Sequence, residues 1–96
     1  MDLSTSSVLN VAGKEIVIRE LTVQGARAIL QPNPNMDFVG DGLFPDLRLW
    51  DLVHLTSLKI EEIEAMYPSD LRLIVEACKT KNPDFFGFLA RAFPKP

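Results

Sequence analysis

Proline sets the outer limits on what this chain can fold into. Pro32, Pro45, Pro68 and Pro83 recur along its 96 residues. Each removes a backbone donor and disfavours helix in the residue before it. Regular structure must therefore come in short pieces. Pro32 stops any preceding helix near Leu30 or Gln31, and the run Gln31-Pro32-Asn33-Pro34-Asn35 is rich in turn formers. Pro45, Pro68 and Pro83 suit the first turn of a helix, where the missing N–H has no intrahelical partner to lose. Pro94-Lys95-Pro96 is expected to end the ordered chain as a short tail.

Ahead of the first proline, Val8-Leu9-Asn10-Val11 and Glu15-Ile16-Val17-Ile18-Arg19 flank Ala12-Gly13. Two β-branched runs around a glycine-containing turn predict a hairpin. With a two-residue turn, Leu9 faces Ile16 and shares a side with Val11 and Ile18. That apolar side needs helices to cover it, because an isolated hairpin is marginal. Thr22 is a plausible N-cap for a helix carrying Ala26, Ile29 and Leu30. Further helices are predicted from Pro45 to Leu55, from Ser57 to Met66, from Pro68 up to Asn82, and from Pro83 to about Phe93. Leu71, Ile74, Val75 and Cys78 fall at i, i+3, i+4 and i+7, a clean amphipathic stripe.

The predicted fold is α+β, mainly α: one domain over residues 1–96, with an N-terminal β-hairpin followed by about five short helices. Residues 1–6 read as a loose terminus and 31–43 as an irregular loop. The expected core is Leu9, Val11, Ile16, Ile18, Ile29, Trp50, Val53, Leu71, Ile74, Val75 and Cys78.

Chemistry-bearing residues are scarce. The chain has one cysteine and one histidine, so no metal site or nucleophilic triad can be assembled from them within one copy. His54 sits among Leu52, Val53 and Leu55 and reads as structural. Glu61, Glu62 and Glu64 read as the solvated face of a short helix. Gly40-Asp41-Gly42 lacks the strand–turn–helix context of a phosphate loop. No catalytic residue, cofactor or metal is expected, and the chain is expected not to be an enzyme. A net charge of −3 argues against a general nucleic-acid binder, which carries a basic stripe. No apolar run reaches the roughly 20 residues of a membrane span, and Met1 to Ser7 has neither half of a signal peptide. A cytoplasmic protein is expected, with Cys78 a buried small hydrophobe in a reducing compartment.

What remains is apolar surface. Asn82-Pro83-Asp84-Phe85-Phe86-Gly87-Phe88-Leu89 places three phenylalanines in four positions, and Phe93 follows one turn beyond Leu89. On a helix Phe85, Leu89 and either Ala92 or Phe93 share a face, with Phe86 and Phe88 flanking it, and the plainer reading is that all of them are core. A domain this small struggles to bury the whole spread, and exposed contiguous apolar area marks interaction sites. Phe85, Phe86, Phe88, Leu89 and Phe93 are therefore the candidate partner-binding residues. Phe86 and Phe88 are expected to meet the partner, and Phe85 and Leu89 to anchor the helix.

Three segments carry a resemblance. Lys14-Glu15-Ile16-Val17-Ile18-Arg19-Glu20-Leu21-Thr22, Tyr67-Pro68-Ser69-Asp70-Leu71 and Asn82-Pro83-Asp84-Phe85-Phe86 occur in an order that resembles the small tail assembly chaperones of long-tailed bacteriophages and prophages. The resemblance implies a mainly helical protein of the host cytoplasm that binds the tape measure protein. It also implies recruitment of tail tube subunits and absence from the mature virion. The family often makes a longer product by ribosomal slippage. Phe93-Pro94-Lys95 permits the slippery spelling C-CCA-AAR there, which the gene's codons decide. A homo-oligomer is compatible with the apolar helix expected at 45–55; no nucleic acid or membrane is expected as a partner. The alternatives are a small adaptor or regulatory subunit holding a partner helix in a groove, or a minor structural virion component.

Overall fold

A computed structural model describes residues 6–31, 37–45 and 47–92. The chain folds as α+β, mainly α, with an N-terminal hairpin followed by helices. Strands β1 (Ser6–Val11) and β2 (Lys14–Arg19) pair antiparallel, with Leu9 opposite Ile16 and Val11 opposite Lys14. Between them Ala12 (φ 53°) and Gly13 (φ 76°) both lie in the left-handed region. That is the geometry of the tight turns whose twist matches paired strands. Gly13 adopts it without penalty, whereas Ala12 is strained.

One face of the hairpin is dry. Val11, Ile16 and Ile18 are buried and Leu9 packs beside them. The cover is α5 (Pro68–Lys81), which lies against both strands and buries Leu71, Ile74, Val75 and Cys78. Burial pushes the Cys78 thiol up to about 12, so it behaves as an inert apolar side chain. Pro68 occupies the first turn of α5 and Lys79 and Lys81 its last, both favourable placements.

A single residue joins α5 back to the sheet. Asn82, only 3 % exposed, caps α5 with its backbone N–H on the Cys78 carbonyl (3.0 Å). Its Nδ2 donates to the carbonyls of Arg19 (2.9 Å) and Cys78 (3.0 Å). Its Oδ1 accepts from the N–H of Leu21 (2.7 Å). The Asn82 carbonyl then accepts from Phe86 N–H (3.1 Å), opening α6 (Pro83–Ala92). The sequence shows Asn82-Pro83 only as a helix break; the amide holds β2's exit, α5's end and α6's start together.

Helix α1 (Val23–Ile29) begins as expected, with Thr22 Oγ1 accepting from Gly25 N–H (3.0 Å). The loop expected over 31–43 is only partly irregular. Residues 37–43 lie within the described part, and α2 (Phe38–Gly42) is a short helix there, capped by Asp37. The Asp37 carboxylate accepts from Gly40 N–H (3.1 Å) and fills the space a Cβ at position 40 would need. Residues 1–5, 32–36 and 94–96 of the expected terminus, loop and tail lie outside the described residues.

The helix expected from Pro45 is shorter and starts later. Arg48 is extended (φ −88°, ψ 156°) and is followed by a 3₁₀ turn (Leu49–Asp51) leading into α3 (Leu52–Leu55). The cause is the Arg48 side chain. Its guanidinium donates to the Ile29 carbonyl and to that of Gln31 (3.3 Å), both at the C-terminal end of α1. It also pairs with buried Asp51 (3.1 Å), which in turn accepts from Arg48 N–H (2.9 Å). With the helix so placed, Leu47, Leu52 and Leu55 are buried. Trp50 and Val53, expected in the core, point to the far side and are 39 % and 38 % exposed.

Residues after α3 form no helix until α4 (Ile60–Glu64). Thr56 and Ser57 are recruited by the sheet instead. Thr56 bridges Ile18, and its carbonyl accepts from Arg19 Nη1 (2.6 Å). Ser57 N–H donates to the Val17 carbonyl, and Val17 N–H donates to Ser57 Oγ, both at 3.0 Å. The outer edge of β2 is thereby closed. Lys14 at the turn bonds Glu62 of α4 (2.9 Å). That bond and one from Lys59 N–H hold the Glu62 carboxyl below its ordinary range.

Two outcomes are expected. Asn82→Ala leaves the Arg19 carbonyl and the Leu21 N–H without this partner and the Cys78 carbonyl with only its backbone bond, and should cost about 2–3 kcal/mol by denaturant titration. An effect under about 1 kcal/mol would show that Asn82 is not the joint described. Ala12→Asn relaxes the left-handed turn residue and should stabilise the fold by about 0.5–1 kcal/mol in the same assay.

Candidate protein-binding surface

The surface begins with α6, whose position follows from Asn82. None of the residues of α6 is fully buried, so the helix lies on the core rather than within it. Phe85 and Phe86 are half-buried and pack against the core. Their rings meet edge to face, 5.3 Å apart and inclined at 82°, a favourable arrangement for aromatic pairs. Phe85 thus anchors the helix as expected. Phe86, expected to face a partner, anchors it too, because it lies on the side of α6 turned to the core. Phe88, a third of a turn short of Leu89, is 41 % exposed and stands where a partner can reach it. Phe93 lies outside the described residues.

Leu89 is half-buried and forms one wall of a groove of about 270 Å³. The other walls are Ile29 and Leu30 at the end of α1 and Phe44, Pro45 and Leu47 before α3. Arg48 and Asp51 supply the polar part of the lining. Their charges satisfy each other and the α1 carbonyls, so the groove offers apolar contact without an unpaired buried charge.

Asp41 lies at the rim and belongs also to α2. There Phe38 is 85 % and Val39 62 % exposed, with Leu43 at 37 %. They border a second hollow of about 470 Å³ with Asp41 and Gly42. Apolar side chains thus line both hollows, Leu89 of α6 in the first and Phe38 and Val39 of α2 in the second, and the carboxylate of Asp41 stands between them. Sequence reasoning missed Leu30, Phe38, Val39, Leu43, Phe44 and Leu47 as part of this surface. The signal was present in Asp37-x-x-Gly40, an N-cap spacing that makes a helix of the presumed loop. Nothing local predicts that Arg48 bonds the carbonyls of Ile29 and Gln31 and so brings Phe44 and Leu47 to the groove beside α1.

Among the described residues no group of three or more His, Cys, Asp or Glu side chains could hold a metal ion. No described helix is long and apolar enough to cross a membrane.

Phe86→Ala and Phe88→Ala should separate anchor from contact. The first should cost about 2–3 kcal/mol through the cavity and the lost ring contact, the second less than about 1 kcal/mol. Thermal melts read both; equal losses would mean that Phe88 is also part of the core.

Comparison with known proteins adds no relative: no family model, no curated protein and no solved structure matches this chain.

Proposed function

We propose that this chain is a tail assembly chaperone of a long-tailed bacteriophage or prophage. It binds the tape measure protein without catalysis and helps bring tail tube subunits to it. It acts in the host cytoplasm and is absent from the mature virion.

The observation that supports this reading most is exposed apolar side chain at two places, Phe88 on α6 next to the groove residue Leu89, and Phe38, Val39 and Leu43 on and after α2, with Asp41 lining both hollows. Contiguous apolar area at a small domain's surface is costly unless a partner covers it. A long, largely apolar helical client matches that need, because grooves of this kind take helix faces through apolar anchors at i, i+3 and i+4. The acidic rim at Asp37 and Asp41 favours client segments with a basic residue beside those anchors. The segments that carry the family resemblance are the ones that build the scaffold. β2 and its exit hold Arg19 and Leu21, α5 starts at Pro68, and Asn82-Pro83 sets α6.

Co-expression with the tape measure protein from the same gene cluster tests the proposal. Wild-type chain should keep that client soluble and co-purify with it. Phe88→Ala and Phe38→Asp should lower the co-purified amount several-fold while the chain itself stays folded. If the client stays insoluble and nothing co-purifies, with the longer slippage product supplied as well, the proposal fails. Purified particles that contain the chain would point to a virion component instead.

A further inference from the structure

The two edges of the hairpin are treated differently. In an antiparallel pair, opposite residues alternate between those that exchange backbone hydrogen bonds and those whose N–H and C=O point away from the partner. Val17 belongs to the second kind, since its N–H and C=O both bond Ser57 on the outer side of β2. Val8 is its opposite number on β1. By the same alternation the N–H and C=O of Ser6, Val8 and Asn10 point outward from the other edge. Among the described residues β2 is the sole strand paired with β1.

Exposed edges are commonly guarded by charge, proline or a bulge. Here the guarded strand is the covered one: β2 carries Lys14, Glu15 and Arg19, whereas β1 reads Ser-Ser-Val-Leu-Asn-Val. It has no charge and no proline, its register with β2 is unbroken by a bulge, and Val8 is 58 % exposed. The outward groups are also symmetric about Val8. When a second β1 is laid antiparallel with Val8 opposite Val8, Ser6 falls opposite Asn10 at both ends. Every outward N–H then meets an outward C=O, and the two exposed valines meet on one face. The same register sets Ser7 opposite Leu9 on the other face.

We propose that the partner of this edge is a second copy of the chain, joined through antiparallel β1–β1 pairing centred on Val8. The result is one continuous sheet in the order β2-β1-β1-β2, with each outer edge closed by Thr56 and Ser57. The dimer is symmetric and self-limiting, because pairing consumes the only open edge of each described hairpin. This surface lies apart from the α6–α2 surface, so the inference stands independently of the proposed function.

Sedimentation of the full chain from micromolar to near-millimolar concentration tests it. The wild type should rise from its 10.7 kDa chain mass toward twice that value. Val8→Pro removes an N–H that the hairpin does not use and a proline is tolerated at such an edge. Val8→Lys sets like charges opposite each other across the interface. Both should remain at single-chain mass with unchanged far-ultraviolet circular dichroism. For the register, Val8→Cys should form a disulfide-linked dimer on mild oxidation. Asn10→Cys, on the same face but far from its twin, should not. A wild type that stays at single-chain mass throughout overturns the proposal. So does a Val8→Lys chain that is folded and dimerises like the wild type, or cross-linking as ready at position 10 as at position 8.

Discussion

The fold depends on one buried amide. The Asn82 side chain binds the Arg19 carbonyl and the Leu21 N–H, which no regular element satisfies, and adds a second bond to the Cys78 carbonyl that ends α5. A chain ending a strand and turning into a helix has orphan backbone groups at that point, and burying them unpaired is expensive. A water could satisfy them only at the cost of separating α5 from the sheet. The asparagine does so while holding them together, and its own carbonyl sets the start of α6. The placement of Phe85, Phe86, Phe88 and Leu89 follows from there. The surface through which we propose the protein acts is thus positioned by a residue that never reaches it.

Two further joints work in the same way. Arg48 binds the carbonyls of Ile29 and Gln31 at and just beyond the end of α1 and pairs with buried Asp51. Thr56 and Ser57 lie along β2 as a fragment of a third strand. In each case a side chain does what a longer helix or strand would do in a larger domain. Short elements cut by prolines leave many backbone groups unpaired, and polar side chains at the joints take them up.

This explains what was legible in the sequence. The hairpin register, the Thr22 cap, the stripe on α5 and the helix starts at Pro68 and Pro83 are local features. They follow from spacing, turn chemistry and caps, and the structure has them as expected. Trp50 and Val53 were misplaced because periodicity gives the faces of a helix but not which face is turned inward. Long-range bonds from Arg48 and Thr56 decided that. The packing of Phe86 on the core was hidden for the same reason: the wheel shows Phe86 and Phe88 flanking one stripe, and only the docking angle of α6 distinguishes them. The α2 segment follows a run of prolines and asparagines that favours turns, and its only local helix signal is the Asp37 cap.

The order of these joints along the chain has a consequence for synthesis. The hairpin leaves the ribosome first, yet its apolar face is covered by α5 and its exit is tied by Asn82, with sequence separations of 61 and 63 between the bonded residues. Loop closure over such distances must precede any reward from the contact. An uncovered hairpin is marginal, so the nascent chain gains little lasting structure until almost the whole domain has emerged. Folding is then a late event, completed together with α6.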